Sequence, residues 1–318
     1  MIKIEDIAKL AGVSTATVSR VLNNVGNVAP ATREAVLNAS RQLGRALDPE
    51  ITRKRVLIIH TPSAHAMVES FMHCADTYNI SPLYKAVDRF AMKADAIDFD
   101  GDFDGIIVID GVVETEELEA MKSNAPVVQC RNYCGADNEC AVLVDDVMMG
   151  KMLTQHLIDN GKKRIAFVSI NEFMAARPHH IERLQGYHAA LSMAGLTPAA
   201  FYELEAEDVL EQMRADAGNK WDAIIFPEPL IPLLDLHQML QQDGFRIGED
   251  IALASFDDNE YIQRLGITGT RQPEDALANG TLFMLNSLME QRLQLNNAMY
   301  LRYKPELLIR SSTTGQPE

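Results

Sequence analysis

From Val56 onward, short apolar runs alternate with helix-forming segments, and this alternation constrains the fold more than any other feature. The runs share consecutive aliphatic residues and are VLIIH (56–60), GIIVID (105–110), PVVQC (126–130), AVLVD (141–145), RIAFVS (164–169), DAIIF (222–226) and IALASFDD (251–258). Continuously apolar strands are typical of parallel sheets built from right-handed βαβ units. Because roughly 260 residues with this many strands exceed one core, we expect two sheets.

The segments between these runs have helical patterns. The clearest cover Gly150 to Asn160, Glu182 to Ala194 and Pro229 to Gln242. A glycine stands just after each segment, where a left-handed C-terminal cap is expected. The body of the chain is therefore predicted to be α/β.

The first 45 residues have helix patterns only. An apolar stripe at Ile4, Ile7, Ala8 and Ala11 predicts a first helix, which Gly12 ends. Ser14 is placed to cap a second helix over Thr15 to Leu22. A third helix is predicted to begin at Pro30, because proline suits the first turn of a helix, and to end at Gly44. The stripe of this helix consists of Val36, Ala39, Ser40 and Leu43. We expect a small three-helix bundle, followed by a linker in RALDPEITRK.

Charge is distributed unevenly along the 318 residues, whose formal net charge is −16. Residues 1–55 contain nine Lys and Arg against five Asp and Glu, a net +4, and the remaining residues contain 20 against 40, a net −20. A basic head on an acidic body suits a polyanion-binding module joined to a second function.

The head has the layout of a helix-turn-helix, in which the second helix enters the DNA major groove. The outward face of that helix carries Ala16, Ser19, Arg20 and Asn23 and no carboxylate. Arg20 can pair with guanine, and Thr17, Ser19 and Asn23 can bond phosphate oxygens. The residues alone favour DNA binding over an ordinary three-helix packing module.

Ligands of open parallel sheets bind beyond the carboxyl ends of the strands. The polar residues at those ends are His60, Asp110, Arg131, Asp145, Ser169, Glu228 and Asp257. Two facing sheets would place them around an inter-domain cleft, where hydrogen-bonding groups of both charge signs suit a hydroxylated or charged small molecule. Some of them are expected only to cap the next helix, Asp145 above all.

Motifs of other function classes are missing. The chain has no GxxxxGK[ST], GxSxG or HExxH, and no GxGxxG after a first strand. Cys130, Cys134 and Cys140 cluster, but their spacing matches no standard zinc pattern. The N-terminus has no signal-peptide pattern, and no apolar run is long enough to span a membrane. We therefore expect a cytoplasmic protein that is not an enzyme and needs no cofactor or metal.

The stretch IEDIAKLAGVSTATVSRVLNN closely resembles the N-terminal signature of the lactose/galactose repressor family of bacterial transcription regulators. The segments GKKRIAFVS, ERLQGYHAALSMAGL, IALASFDDNEYIQRLGITGTRQP and LLIRSST resemble family segments in the expected order. The resemblance implies an all-α helix-turn-helix head and an α/β, two-lobed, periplasmic-binding-protein-like body. Such a body dimerises, binds a small effector in its cleft and changes operator affinity.

The resemblance also assigns residues. Thr15 and Ala16 match positions that choose bases, and Arg20 matches the base- or backbone-contacting arginine. The phosphate-contacting positions are matched by Thr17, Ser19, Asn23 and Thr32. In the body, Arg183 matches the arginine that holds the effector, and Asp257 matches the acid that accepts hydrogen bonds from it. Arg131 and His60, chosen because they follow strand ends, and Glu228 complete the predicted effector set.

Three segments depart from the family pattern. The linker GRALDPEITRKR is short, and Leu47 and Ile51 are its only candidates for an apolar minor-groove wedge. In FPEPLIP, Glu228 replaces an amide that commonly touches the effector. This substitution suggests an amine-bearing or acceptor-poor effector, or weak effector control. The end of the chain has no further heptads, so we expect dimers rather than tetramers.

The predicted domains are a helix-turn-helix head (1–46), a linker (47–55) and an effector-binding and dimerisation body (56–318). Lobe 1 is expected to span 56–145 and 271–302, and lobe 2 to span 146–270 and 303–318. We expect a homodimeric repressor of carbohydrate-utilisation genes that binds a pseudo-palindromic operator and a sugar or sugar derivative. The alternative is a solute-binding or sugar-modifying protein on the same fold, with a structural N-terminal bundle.

Overall fold

The computed structural model describes residues 3–23, 28–44, 53–62, 64–87, 103–110, 115–169, 177–203, 211, 221–226 and 230–315. The chain divides into two units. The first contains residues 1–143 and 274–301, and the second contains residues 144–273 and 302–318. The chain therefore passes between the units after Leu143, after Pro273 and after Leu301.

The helices are α1 (Ile4–Ala11), α2 (Thr15–Leu22), α3 (Pro30–Gln42), α4 (His65–Cys74), α5 (Thr115–Lys122), α6 (Asp146–Asp159), α7 (Pro178–Met193), α8 (Leu230–Gln242), α9 (Glu260–Arg264), α10 (Glu274–Met289) and α11 (Ser311–Thr314). The strands are β1 (Lys54–His60), β2 (Ile80–Ala86), β3 (Gly105–Ile109), β4 (Val127–Cys130), β5 (Cys140–Val144), β6 (Ile165–Ser169), β7 (Ala200–Glu203), β8 (Ala223–Phe226), β9 (Ala252–Ser255), β10 (Gly269–Arg271), β11 (Met299–Tyr303) and β12 (Glu306–Leu308).

The head consists of α1, α2 and α3, as the sequence predicts. Its apolar stripes form one core, which contains Ile7, Ala8, Val18, Val21, Leu22, Val28, Val36, Leu37 and Ala39. Leu43 was expected in this core and is instead 36% exposed, because it follows the last residue of α3. Leu37, which the predicted stripe omitted, is buried in its place.

A six-stranded sheet in the order β11-β5-β4-β3-β1-β2 forms the centre of the first unit. The pairs that join β1, β3, β4 and β5 are parallel, as predicted, and β2 pairs in parallel with β1. Strand β1 begins at Lys54. The prediction that the linker extends to residue 55 is therefore wrong, because Lys54 and Arg55 belong to β1 and pair with β2. The edge strand β2 was not predicted, because its sequence ISPLYKA mixes apolar and polar residues and has no continuous apolar run. In the structure only one of its residues is buried. Helix α10 packs on β3 and β4.

The second unit contains a four-stranded parallel sheet in the order β7-β6-β8-β9 and a small antiparallel pair, β10 and β12. Its core is formed by Ala166, Val168, Trp221, Ile224, Phe226, Leu233, Leu236, Leu240, Ile251, Leu253, Ile262 and Ile267. The prediction of two parallel sheets flanked by helices is confirmed. Among the described residues, no helix is long and apolar enough to cross a membrane.

Candidate nucleic-acid interface and ligand site

The second helix of the head begins as the sequence predicts. The backbone of Gly12 is left-handed, with φ 70°, and this conformation ends α1 and turns the chain toward α2. The Ser14 hydroxyl caps α2 by accepting a hydrogen bond of 3.1 Å from the Thr17 backbone amide. Val18, Val21 and Leu22 are buried, so the opposite face of α2 is directed away from the core.

That opposite face carries the residues that the sequence assigns to DNA. Thr15, Ala16, Arg20 and Asn23 are exposed, and Thr17 and Ser19 are partly exposed. Arg20 makes no hydrogen bond or ion pair with another described residue. Its guanidinium is thus available to a phosphate or to a base edge.

The charge around α2 favours an anionic partner. Helix α2 contains no acidic residue, and the first turn of α3, where the partly exposed Thr32 lies, contains none. Because helix N-termini carry partial positive charge, two such termini without carboxylates suit phosphate groups. The acids of α1, Glu5 and Asp6, lie in its own first turn.

In the first unit, the sheet register aligns three predicted ligand residues at one edge. His60 pairs with Ile109, and Ile109 pairs with Cys130, so the next residues, Asp110 and Arg131, follow neighbouring strand ends. The Arg131 guanidinium forms a fork with the Asp110 carboxylate, with Nε donating to Oδ1 at 2.7 Å and Nη2 contacting Oδ2.

Both members of this pair have unusual backbones. The φ angles of Asp110 and Arg131 are 55° and 63°, in the left-handed region that non-glycine residues rarely occupy. Such conformations cost about 1–3 kcal/mol and cluster at functional sites. Burial opposes the charge on Arg131, but the Asp110 carboxylate outweighs it and raises the pKa of Arg131 above its ordinary value. Arg131 therefore stays charged and is held in one orientation.

His60 ends β1 and is partly exposed. Its Nδ1 lies 3.0 Å from the Thr61 carbonyl oxygen, and its ring meets the Tyr84 ring edge-on at 6.4 Å. The Tyr84 hydroxyl is buried and has no hydrogen-bond partner among the described residues, and burial raises the pKa of Tyr84 to about 12.

In the second unit, Arg183 is only 4% exposed. Its Nε donates to Oδ1 of Asp146 at 2.7 Å, and its guanidinium lies 4.9 Å from the centre of the Phe256 ring. Asp146 opens α6, so Arg183 connects α7 to the start of α6 and to the end of β9.

Two glycines bring α6 and α7 close enough for this pairing. A Cβ at Gly150 would lie 2.0 Å from the Arg183 carbonyl oxygen, and a Cβ at Gly186 would lie 2.1 Å from the Val147 carbonyl oxygen. Real atoms do not approach so closely, so only glycine fits at this helix crossing.

Asp257 follows Phe256, the residue whose ring the Arg183 guanidinium covers. In contrast to Arg183 it is exposed. Its carboxylate accepts hydrogen bonds of 3.2 Å from the Asp258 backbone amide and from the Asn259 side chain. These two donors leave further acceptor sites on the carboxylate for a ligand hydroxyl or amine.

The other predicted residues have different fates. Asp145 caps α6, accepting from the Met148 amide at 2.9 Å, as expected. Ser169 is the last residue of β6. Glu228, Leu47 and Ile51 lie outside the described residues. Sequence reasoning missed Asp146 and Phe256, because their contact with Arg183 depends on how α6 and α7 cross.

The cysteines are free thiols. Cys130 and Cys140 are buried, and Cys134 is partly exposed. In the described part of the chain, no three His, Cys, Asp or Glu side chains are grouped so that they could hold a metal ion.

Comparison with known proteins agrees with this arrangement. Residues 3–44 match the lacI family of bacterial regulatory proteins, and residues 154–313, half of the chain, match the periplasmic binding protein-like domain. The chain is 28% identical to the HTH-type transcriptional regulator CelR of Thermobifida fusca, over 86% of this chain and 88% of CelR. It is 27% identical to the HTH-type transcriptional repressor PurR of Vibrio vulnificus (strain CMCP6), over 98% of both chains.

Solved structures share the fold. A CelR–cellobiose complex has a TM-score of 0.66 at 23% identity, covering 98% of this chain and 100% of that one. A lac repressor dimer bound to its operator and an anti-inducer has a TM-score of 0.66 at 19% identity, covering 98% and 99%. These relatives are transcriptional regulators rather than enzymes. They confirm the prediction that this protein is not an enzyme, and they disfavour the solute-binding or sugar-modifying alternative. The chain is a member of the lacI family of bacterial regulatory proteins: a DNA-binding transcriptional regulator with a helix-turn-helix head and a periplasmic-binding-protein-like body.

Proposed function

We propose that this protein is a cytoplasmic repressor of carbohydrate-utilisation genes that binds a pseudo-palindromic operator as a homodimer and responds to a sugar or sugar derivative. The observation that carries the proposal is the outward face of α2. It is free of carboxylates and presents Arg20 without a competing partner from the described residues. Head, linker and body are proposed to span 1–46, 47–53 and 54–318.

Within α2, the proposed base-reading residues are Thr15, Ala16 and Arg20. The residues proposed to contact phosphates are Thr17, Ser19 and Asn23. Thr32 extends the phosphate contacts onto the first turn of α3. Two heads on one dimer would read half-sites about 34–36 Å apart, one helical turn of DNA. The lac repressor, which shares the fold, has been solved as a dimer on its operator.

The proposed effector residues are Arg183 and Asp257 in the second unit, Arg131 and His60 in the first, and Glu228. The Arg183 guanidinium lies over the Phe256 ring, and Asp257 is the next residue after Phe256, so a charged donor and an acceptor are available in this part of the unit. Polar groups of this kind fix the orientation of hydroxylated ligands. CelR, which shares the fold, has been solved with cellobiose, which supports the carbohydrate class.

Operator binding can be tested with the full-length protein. Duplexes are first selected by the protein from a randomised pool, and the selected duplex is then compared with a random duplex at several salt concentrations. We expect a two-fold symmetric motif, an affinity at least about 10³-fold above that for random DNA, and affinity that falls steeply with salt. Failure to enrich any symmetric motif would overturn the proposal.

The effector can be tested independently of DNA. Thermal shifts are measured with a panel of sugars and sugar phosphates, cellobiose included, on the parent protein, on Arg183→Ala and on Asp257→Ala. A stabilising sugar whose effect disappears in both variants supports the assignment. A sugar whose effect survives both substitutions would remove Arg183 and Asp257 from the site.

A further inference from the structure

The chain enters or leaves the second unit at three places, and acids beside the proposed effector residues hold all three. The crossings lie between Leu143 and Val144, between Pro273 and Glu274, and between Leu301 and Arg302. The acids are Glu182, next to Arg183, and Asp258, next to Asp257.

Glu182 holds the first and third crossings. Its carboxylate forms a two-pronged ion pair with Arg302, with Nη1 donating to Oε2 at 2.7 Å and Nη2 to Oε1 at 2.8 Å. Arg302 Nη1 also lies 3.5 Å from the Val144 carbonyl oxygen, and the Asp145 amide donates to the Tyr303 carbonyl at 2.9 Å. The two crossing segments are thus hydrogen-bonded to each other and anchored to α7.

Asp258 holds the second crossing and the strand that follows the third. Its Oδ2 accepts from Arg271, with Nε at 3.0 Å and Nη2 at 2.8 Å, and its Oδ1 contacts Nη2 of Arg310. Arg271 ends β10, two residues before Pro273, and Arg310 follows β12. One carboxylate therefore joins both members of the β10–β12 pair.

The backbone next to Asp258 makes a second, steric connection. A Cβ at Gly269 would lie 2.3 Å from the Asp257 carbonyl oxygen, so the Asp257 backbone rests directly on the first residue of β10. A displacement of Asp257 therefore moves β10 or creates a clash.

These ion pairs are well placed to transmit force. The side chains of Glu182 and Asp258 are only 12% and 5% exposed, so water screens their pairs less than it screens pairs on the surface. Forked arginine–carboxylate pairs are also directional as well as strong. In contrast, the forked pair of Arg246 and Asp250 in the same unit has side chains that are 67% and 37% exposed, and neither residue adjoins a crossing or a proposed effector residue.

We propose that Glu182 and Asp258 are positioning residues that couple the effector site to the three chain crossings and thereby to operator affinity. The proposal rests on the proposed function. Movement of Arg183 or Asp257 on binding a ligand would be passed through the adjacent carboxylate to Arg302, or to Arg271 and Arg310. If the ion pairs of Glu182 or of Asp258 are weakened, the crossing segments can adopt additional conformations. Operator affinity then falls in proportion to the fraction of molecules that keep the conformation able to bind the operator.

The test uses the full-length protein without effector and the duplex selected by the parent protein. Glu182→Gln and Asp258→Asn are compared with Asp250→Asn, which breaks the matched exposed pair. We expect the first two to weaken operator binding about fivefold or more and the third to remain within twofold. Concentrations are corrected by stoichiometric titration of active protein, so that a partly unfolded sample does not imitate the effect.

Arg271→Gln keeps the test decisive if Asp258→Asn fails to fold, because Arg271 is half exposed and its loss leaves Arg310 on Asp258. Arg271→Lys, which keeps the charge, should recover most of the affinity that Arg271→Gln loses. Operator binding within twofold of the parent for Glu182→Gln and for Arg271→Gln would overturn the coupling role. If the parent itself selected no duplex, the proposed function would fail instead.

Discussion

At the scale of single residues, burial distinguishes Arg20, Arg183 and Asp257, the three charged residues that the family resemblance assigns. Arg183 and its partner Asp146 are buried together, whereas Asp257 is exposed and Arg20 has no partner among the described residues. A buried ion pair can stabilise the fold in addition to contacting a ligand. Removal of one partner should therefore lower the free energy of unfolding. Removal of an exposed charged residue should mainly lower the affinity for its ligand and leave the free energy of unfolding almost unchanged.

Arg20→Ala should therefore impair operator recognition and leave folding intact. Loss of a bidentate contact to guanine costs about 1–3 kcal/mol of discrimination, which weakens specific binding roughly 5- to 150-fold. Non-specific binding should change much less. Arg41→Ala is the matched control, since Arg41 is an exposed arginine in the head that bonds Asn38 rather than facing outward from α2. Equal affinity of Arg20→Ala and the parent in salt-matched gel-shift assays would refute the recognition-helix assignment.

Arg183→Ala and Asp257→Ala should differ in stability. Removing Arg183 takes from the buried Asp146 carboxylate the guanidinium that donates to it, which costs about 3–5 kcal/mol. Asp257→Ala should change the free energy of unfolding by about 0.5 kcal/mol or less, as usual for exposed positions. Urea unfolding at pH 7.5 measures both. Similar stabilities of the two variants would contradict the contrast in burial.

At the scale of elements, the crossing of α6 and α7 decides where Arg183 can reach. Periodicity predicted both helices, although the structure extends each by about four residues at its N-terminus. No periodic pattern states that Gly150 and Gly186 face each other. Sequence alone would count a glycine within a helix as a weakness of about 1 kcal/mol relative to alanine.

Gly186→Ala tests this crossing. Helix propensity by itself predicts stabilisation, but the added methyl group would lie 2.1 Å from the Val147 carbonyl oxygen. Because backbone must move to relieve the clash, we expect a loss of about 1–3 kcal/mol. Gln185→Ala, at an exposed neighbouring position, should be nearly neutral. A Gly186→Ala protein that unfolds at higher urea than the parent would contradict the close helix contact.

At the scale of the whole molecule, the C-terminal segment is held to the second unit by a buried polar chain. His156 Nε2 lies 2.8 Å from the Thr313 hydroxyl, which bonds the Thr268 hydroxyl at 2.6 Å. Ser312 donates to the Leu253 carbonyl at 2.6 Å and accepts from the Thr268 amide at 2.8 Å. Burial lowers the pKa of His156 below its ordinary value, so the folded protein favours the neutral form of this histidine.

The stability of the protein should consequently fall as pH drops below about 6.5, the unfolded value for histidine. The unfolded chain takes up a proton on His156 before the folded chain does, so stability is complete above that pH and declines toward the lower folded pKa. His237, whose pKa burial also lowers, adds to the effect. The slope for each histidine is at most about 1.4 kcal/mol per pH unit.

Urea unfolding between pH 7.5 and 5 measures this dependence. His156→Gln should be less stable than the parent at pH 7.5 and should lose less stability on acidification, because one of the two titrating groups is gone. An unchanged slope in His156→Gln would exclude this histidine as a source of the pH dependence.

Much of this protein follows from its sequence, because the patterns concerned are local. Apolar periodicity and caps determine the head and most body strands, and the absence of carboxylates on α2 indicates its partner. Neither the edge strand β2 nor the pairing of Arg183 with Asp146 could be predicted, because an edge strand lacks a continuous apolar run and the pair lies 37 positions apart. The tertiary structure also decided which acids hold the chain crossings. Ion pairs between distant residues depend on how helices and strands pack, and that packing is not encoded in any single segment.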